Sequence, residues 1–207
     1  RHKPDFIFHL AAQAIVYESY KNPLETFATN TMGTVNLLDG IRRIGLDTTI
    51  VVVTSDKVYA PNLLSRPYRE EDPLGGHDPY SASKAASEIV VACYQQAFFS
   101  EQGIALASGR AGNVIGGGDW APNRLIPDAI RAWSHNEEVL IRHPSSVRPW
   151  QHVLEPVYGY ILLAQRLGEN IIGGGAYNFG PKKEDALPVE ELIKLAQSHW
   201  PDANVVL

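Results

Sequence analysis

Thr49-Ile-Val-Val-Val-Thr-Ser-Asp-Lys57 is the stretch from which the fold can be read. Its β-branched run has no polar alternation and reads as a strand buried on both faces, the habit of parallel sheets covered by helices. Ahead of it, Phe6 to Leu10 is another apolar run of strand length. Between the two, Leu24, Phe27, Ala28, Met32, Val35, Leu38, Ile41 and Ile44 recur at threes and fours until Gly45. That spacing predicts a long amphipathic helix with a glycine stop. Behind the central run, Asp78 can cap a helix with Pro79 in its first turn, running to about Glu101 before Gly103 breaks it. Ile104 to Ser108 is then a third strand candidate. Strand, helix, strand, helix, strand predicts an α/β fold built on a doubly wound parallel sheet.

Beyond Pro122 the rhythm loosens. Helices are expected near Leu125 to Ser134, Glu155 to Leu167 and Val189 to His199, with strands at Val139 to Arg142 and Ala176 to Phe179. We read this half as a smaller mixed α/β part. The 207 residues carry 44% apolar and 20% charged side chains, near globular averages. A net charge of -5 offers no general attraction to nucleic acid or anionic membrane. A lone cysteine, Cys93, excludes an internal disulfide and a multi-cysteine metal site. No apolar run reaches membrane-spanning length, and Arg1 to Asp5 adjoins no signal-peptide cleavage pattern, so a cytoplasmic protein is expected.

Thr54, Ser55, Asp56 and Lys57 follow the central strand at the end where open α/β sheets bind ligands. A strand leaving into a polar loop would look the same. Tyr80 and Lys84 stand four apart on the next predicted helix, which puts an ammonium near a phenol. A cation and a helix N-terminus would favour the phenolate of a group whose ordinary pKa is about 10. Tyr17 and Lys21 repeat that spacing, and Lys84 could equally be a surface lysine paired with Glu88. What separates Tyr80 is the combination of a polar strand end, a loop of 22 residues between Lys57 and Tyr80, and the tyrosine on the following helix. The glycines at 109, 112, 116, 117 and 118 match neither G-x-G-x-x-G nor a P-loop. The seven histidines form no H-x-H or H-x-x-x-H pair, so no metal is expected, and no G-x-S-x-G elbow is present.

Taken together, His9-Leu-Ala-Ala-Gln13, Asn30 with Gly33-Thr34, Thr54-Ser-Asp-Lys-Val-Tyr59, Tyr80-Ser-Ala-Ser-Lys84, Arg110-Ala-Gly-Asn113 and Arg148-Pro-Trp-Gln-His-Val153 resemble the extended short-chain dehydrogenase/reductase family. Within it, Ser55-Asp-Lys57, Gly116-Gly-Gly-Asp-Trp120 and the Arg148 segment are most similar to the sugar-nucleotide 4,6-dehydratases, with CDP-glucose as the implied substrate. The resemblance implies a partial Rossmann-like sheet. Residues 1–121 would be the later portion of an NAD-binding domain. Residues 122–207 would mainly bind substrate, with a segment near 150–180 returning to the sheet.

It also implies roles. Tyr80 would take the proton of the sugar 4-hydroxyl as hydride passes to NAD, Lys84 would lower the phenol's pKa and hold the nicotinamide ribose, and Ser55 would orient the 4-oxygen. Asp56 and Lys57 would serve the C5/C6 water elimination, Asp56 as acid. Ala11, Ala12, Gln13 and Thr54 would join Tyr80 and Lys84 at the cofactor, or the small residues would only pack. Asn113 and Arg148 would bind the substrate pyrophosphate. A homodimer through the helices at 24–44 and 80–101 is implied, as is a glycine-rich dinucleotide motif upstream of His9 in a longer parent chain. Two positions depart from close relatives: Tyr17 stands for an expected arginine, and Pro122-Asn123 for a more acidic pair. Other sugar-nucleotide dehydratases, a 4-epimerase and a non-catalytic dimerising module are the competing readings.

Overall fold

The computed structural model describes residues 2–61 and 66–206. They form two compact units, one of residues 1–111 and 156–179, the other of residues 112–155 and 180–207.

In the first unit, β1 (Phe6–His9) leads through α1 (Val16–Lys21), α2 (Pro23–Phe27), a π-helical turn (Ala28–Met32) and α3 (Gly33–Ile44) to β2 (Thr49–Val53). A 3-10 turn (Asp56–Val58), α4 (Pro79–Tyr94), a second π-turn (Gln95–Phe99) and α5 (Ser100–Gln102) lead on to β3 (Ala105–Ala111). In the second, β4 (Val114–Ile115), α6 (Leu125–Ser134), β5 (Glu138–Leu140), β6 (Val147–Arg148) and β7 (Gln151–His152) come first. The long α7 (Leu154–Gly168) and β8 (Gly175–Phe179) belong almost wholly to the first unit. A 3-10 turn (Lys183–Asp185), β9 (Leu187–Pro188), α8 (Val189–Ser198) and β10 (Asn204–Val206) complete the second.

The sheet of the first unit is β1-β2-β3-β8, every neighbour parallel. The valine run explains it. Ile50 and Val52 pack with Leu38 and Ile41 of α3, Val91 of α4, and Leu106, while Val51 packs on the other face with Tyr160, Leu163, Ala164 and Leu167 of α7. Each side chain of β2 therefore meets a helix whichever way it points. Helix ends follow local chemistry: Gly45 and Gly103 take φ of 64° and 70°, open to glycine at no steric cost. The side chain of Asp78 accepts from Ser81 N–H at 2.9 Å, capping α4 ahead of Pro79.

The buried face of residues 24–44 follows the apolar stripe read from the sequence only at Leu38 and Ile41. Leu24 and Met32 are 84% and 51% exposed, while Thr26, Asn30, Thr34, Leu38 and Ile41 are buried. Polar groups can line that face because each is matched: Thr26 Oγ1 donates to Asn22 O at 2.9 Å, and Thr34 Oγ1 to Asn30 O at 2.7 Å. The π-turn interrupts the expected single helix at Asn30, a single-turn widening of the kind that clusters at functional positions.

The second unit has its own core of Ala129, Trp133, Val139, Ile141, Ile193 and Ala203. Its strands pair in twos: β5 with β10 and β4 with β7 in parallel, β6 with β9 antiparallel. Periodicity missed β4, β6, β7, β9 and β10, and two or three residues are too few to show a period of two.

Candidate active site

Parallel pairing brings the carboxyl ends of β1, β2 and β3 level, Val53 standing opposite Gly109. The chain leaves β2 buried: Thr54 N–H donates to Gly109 O at 2.9 Å, which extends the ladder by one bond. The hydroxyl of Ser55, also buried, then caps the 3-10 turn by accepting from Lys57 N–H at 3.2 Å. It also donates to Asp56 Oδ1 at 3.1 Å. Lys57 Nζ approaches the same Oδ1 at 3.4 Å, so a donor and an acceptor of protons sit together, each about a third exposed. Val58, fully buried, packs with Ala85 and seats this turn on α4.

On α4, Tyr80 and Lys84 are 8% and 6% exposed, whereas Tyr17 of the repeated spacing is 53% exposed with Lys21 Nζ lying 4.7 Å from its ring centroid. Spacing alone could not separate a buried pair from a surface cation–π pair. Lys84 Nζ donates to Val53 O at 3.1 Å. Burial pushes this ammonium down to about 8, partly opposed by the charge of Glu88. Tyr80 lies beside Tyr160 of α7, whose phenol is held up at about 12 by burial and by the Tyr80 charge. The ring of Tyr160 fills the space left by Gly109, where a Cβ would sit 2.8 Å from it. Glycine is the residue that lets α7 approach β3 this closely.

Glu88 is not the surface partner of Lys84. Its carboxylate is buried, one oxygen accepting from Thr54 Oγ1, the other from Ser108 Oγ at 2.7 Å and Arg110 Nη2 at 2.8 Å. Arg110 also donates to Tyr59 Oη at 2.9 Å and to Glu70 O at 3.0 Å, and Tyr59 Oη donates to Asn178 Oδ1 at 2.6 Å. The Thr54 hydroxyl, expected at a cofactor, is thus engaged inside the protein.

His9, at the end of β1, is half buried, and burial together with the charge of Lys84 lowers its pKa. After it, Ala11, Ala12 and Gln13 form a strand-to-helix connection with small, partly accessible side chains at its start. Asn30 clamps that connection: its Oδ1 accepts from Gln13 N–H at 2.8 Å and its Nδ2 donates to Gln13 O at 3.0 Å and to Ser83 Oγ at 2.9 Å. The Gln13 amide is itself occupied, donating to Thr26 Oγ1 at 2.8 Å and accepting from Ile15 N–H. Of the expected cofactor contacts on this segment, Ala11 is exposed, Ala12 is partly accessible and the Gln13 side chain is turned to internal bonds.

In the second unit, Asn113 accepts at its carbonyl from Gln151 N–H at 3.1 Å, and its Oδ1 is buried with no hydrogen-bond partner. Arg148 is exposed on β6, with Nη1 donating to Val147 O at 2.9 Å. Asn123, in the departing Pro122-Asn123 pair, takes a left-handed φ of 64°, which asparagine tolerates better than most residues. Among the described residues, no group of three or more His, Cys, Asp or Glu is placed to hold a metal, and no helix is long and apolar enough to cross a membrane. Sequence reading assigned no role to Glu88, Ser108 or Tyr160, and Asn30 and Arg110 were quoted only within motifs. The one available signal for Glu88 was its position one turn beyond Lys84.

Comparison with known proteins bears on the family to which the chain belongs. The chain is 48% identical over 206 residues to a CDP-glucose 4,6-dehydratase of Salmonella typhimurium, covering 97% of this chain and 57% of that protein. It is 32% identical over 176 residues to a dTDP-glucose 4,6-dehydratase of Streptomyces griseus, covering 83% and 52%. The solved structure of TunA, described as an NAD-dependent NDP-hexosamine 5,6-dehydratase involved in tunicamycin biosynthesis, superposes with a TM-score of 0.83 at 26% identity, covering 98% of this chain and 62% of that one. The chain thus spans little more than half the length of these curated relatives. The model of one family, GDP-mannose 4,6 dehydratase, matches residues 1–185, and the chain belongs to that family, within the extended short-chain dehydrogenases/reductases.

Proposed function

We propose that the chain carries the catalytic half of an NAD-dependent sugar-nucleotide 4,6-dehydratase acting on CDP-glucose, in a protein of the cytoplasm. The observation that carries this reading is the buried Lys84 ammonium bonded to the carbonyl of Val53, two residues before Ser55. The 48% identity to a CDP-glucose 4,6-dehydratase is what favours cytidine over other nucleotides. The accessible small residues Ala11 and Ala12, close in sequence to His9 at the end of β1, suit a flat cofactor ring and its ribose. NAD, when bound, supplies the acceptor and later the donor of one hydride.

The side chains move the protons. Tyr80, one turn before Lys84, takes the proton of the 4-hydroxyl; the neighbouring ammonium favours the phenolate that does so. Ser55 orients the 4-oxygen. A ketone at C4 acidifies the C5 proton; Lys57, as the neutral amine, takes that proton while Asp56, as the carboxylic acid, delivers one to the departing 6-hydroxyl. Water is lost across C5 and C6, and hydride returned to C6 with a proton returned to C5 gives a 4-keto-6-deoxy sugar. Asn113, with its unmatched buried oxygen, and the exposed Arg148 are assigned to the nucleotide-sugar substrate, Arg148 at the pyrophosphate. A homodimer is part of the proposal, supported by the exposed Leu24, Met32 and Ile89 on the helices expected to form it.

The test is to incubate the whole protein with CDP-glucose, dTDP-glucose, UDP-glucose and GDP-mannose and follow the alkali-induced absorbance of a 4-keto product. Product from CDP-glucose, lost in Tyr80→Phe, is expected. Undiminished turnover by Tyr80→Phe, or no product from any of the four, overturns the reading.

A further inference from the structure

Glu88 has no part in the proton transfers above, yet its buried carboxylate accepts three hydrogen bonds. A carboxylate this deep persists only when its oxygens are matched by donors. The donors come from three elements. Thr54 lies at the exit of β2, Ser108 and Arg110 lie on β3, and Glu88 itself rides on α4, one turn beyond Lys84. Lys84 grips the carbonyl of Val53 while Glu88 grips the hydroxyl of Thr54. Two adjacent residues of the β2 exit are therefore held by two side chains of one helix, and the next residue is Ser55.

We propose that Glu88 is a positioning residue of the site, locking the exit of β2 onto α4 so that Ser55 and Lys84 keep a fixed separation. This rests on the dehydratase reading for its consequence in turnover. Glu88 acts through Thr54 and Lys84, without reaching substrate. A purely structural ion pair would hold β3 to α4 through Arg110 and have no need of Thr54.

Two variants of the whole protein separate these roles. Glu88→Gln removes the charge and leaves Arg110 without its partner. Thr54→Val removes one hydroxyl and leaves the Glu88–Arg110 pair intact, so it reports on positioning if Glu88→Gln folds poorly. For Thr54→Val we expect kcat to fall about 10-fold and for Glu88→Gln about 100-fold, with KM within about 3-fold of wild type in both. A second readout needs no turnover: the titration of Lys84, followed by NMR of lysine labelled with 13C at Cε. Glu88 from α4 is the acidic group whose charge acts on Lys84, and His9 from β1 is coupled to it, with Tyr80 on the same helix and Asp56 and Lys57 on the turn seated against it. Loss of the Glu88 charge should move the Lys84 titration to lower pH, and Thr54→Val should leave it in place. Wild-type kcat in Thr54→Val, or a Lys84 titration unmoved in Glu88→Gln, overturns the proposal. If the wild-type protein turns over no sugar nucleotide, the dehydratase reading fails by itself. The Lys84 titration in Glu88→Gln and the backbone amide shift of Ser55 in Thr54→Val then decide the role of Glu88: unchanged signals overturn it, and displaced ones sustain it.

Discussion

The buried ammonium of Lys84 and the main-chain carbonyl of Val53 are joined by a 3.1 Å hydrogen bond. The bond crosses from helix to strand between residues 31 apart in sequence. It fixes the only polar tip of a long flexible side chain at the point where β2 gives way to Ser55. A buried ammonium is disfavoured by desolvation, so its proton is held less tightly than on an exposed lysine.

Lys84 should therefore impose an alkaline limit on turnover, with kcat falling above about pH 8 as the ammonium that supports the Tyr80 phenolate is lost. The same shift has a signature in stability. The folded pKa of about 8 lies below the ordinary 10.5, so the unfolded chain binds more protons between those values and stability rises with pH across that window. Lys84→Met should abolish this rise and melt higher than wild type at pH 7, by up to about 3 kcal/mol, at ~1.4 kcal/mol for each pKa unit. Melting curves of both proteins at pH 7 and pH 10 check it; parallel behaviour of the two would contradict the buried ammonium.

Asp72 marks the opposite end of the pH scale. Arg66 donates to its two oxygens at 2.6 and 2.8 Å, the Arg69 N–H adds a third bond at 2.7 Å, and the carboxyl is pushed down to about 2. Its folded pKa lies below the unfolded value, so its stabilisation is present above about pH 4 and disappears as pH falls through about 2. Asp72→Asn should lose stability at pH 7 and show a flatter decline between pH 4 and 2 than wild type, measured by denaturant titration at each pH.

Two glycines should respond in opposite senses to alanine. At Gly109 a Cβ would lie 2.8 Å from the Tyr160 ring and 3.4 Å from that of Phe179, so Gly109→Ala should destabilise by about 1–3 kcal/mol. Gly40 lies within α3 with nothing inside 4 Å of an added Cβ, so Gly40→Ala should stabilise by about 0.5–1 kcal/mol. Urea midpoints of the two variants decide the matter, and equal midpoints would refute the packing argument.

Arg110 and Glu88 invite a double-mutant cycle. Arg110→Met alone strands a buried carboxylate and should cost about 3–5 kcal/mol, whereas adding Glu88→Leu should recover part of that loss. Additive losses would mean that the two residues do not act as a pair.

The local rules of the chain were enough for its scaffold. A run of β-branched residues demanded cover on both faces, Gly45 and Gly103 ended helices by taking a left-handed turn, and Asp78-Pro79 opened α4, because each of these effects is settled within a few residues. The tertiary structure alone decided which polar groups are interior. Tyr17–Lys21 and Tyr80–Lys84 have one spacing and opposite environments. The face of 24–44 that is buried turned out to carry Thr26, Asn30 and Thr34, since Asn30 finds Ser83 on a helix 53 residues away. Thr54 and Glu88 likewise have their partners 34 residues apart. Burial of a polar side chain depends on a partner brought from elsewhere in the chain, and periodicity records only near neighbours; the inner face of this site was for that reason set by the folded packing of β2, β3 and α4.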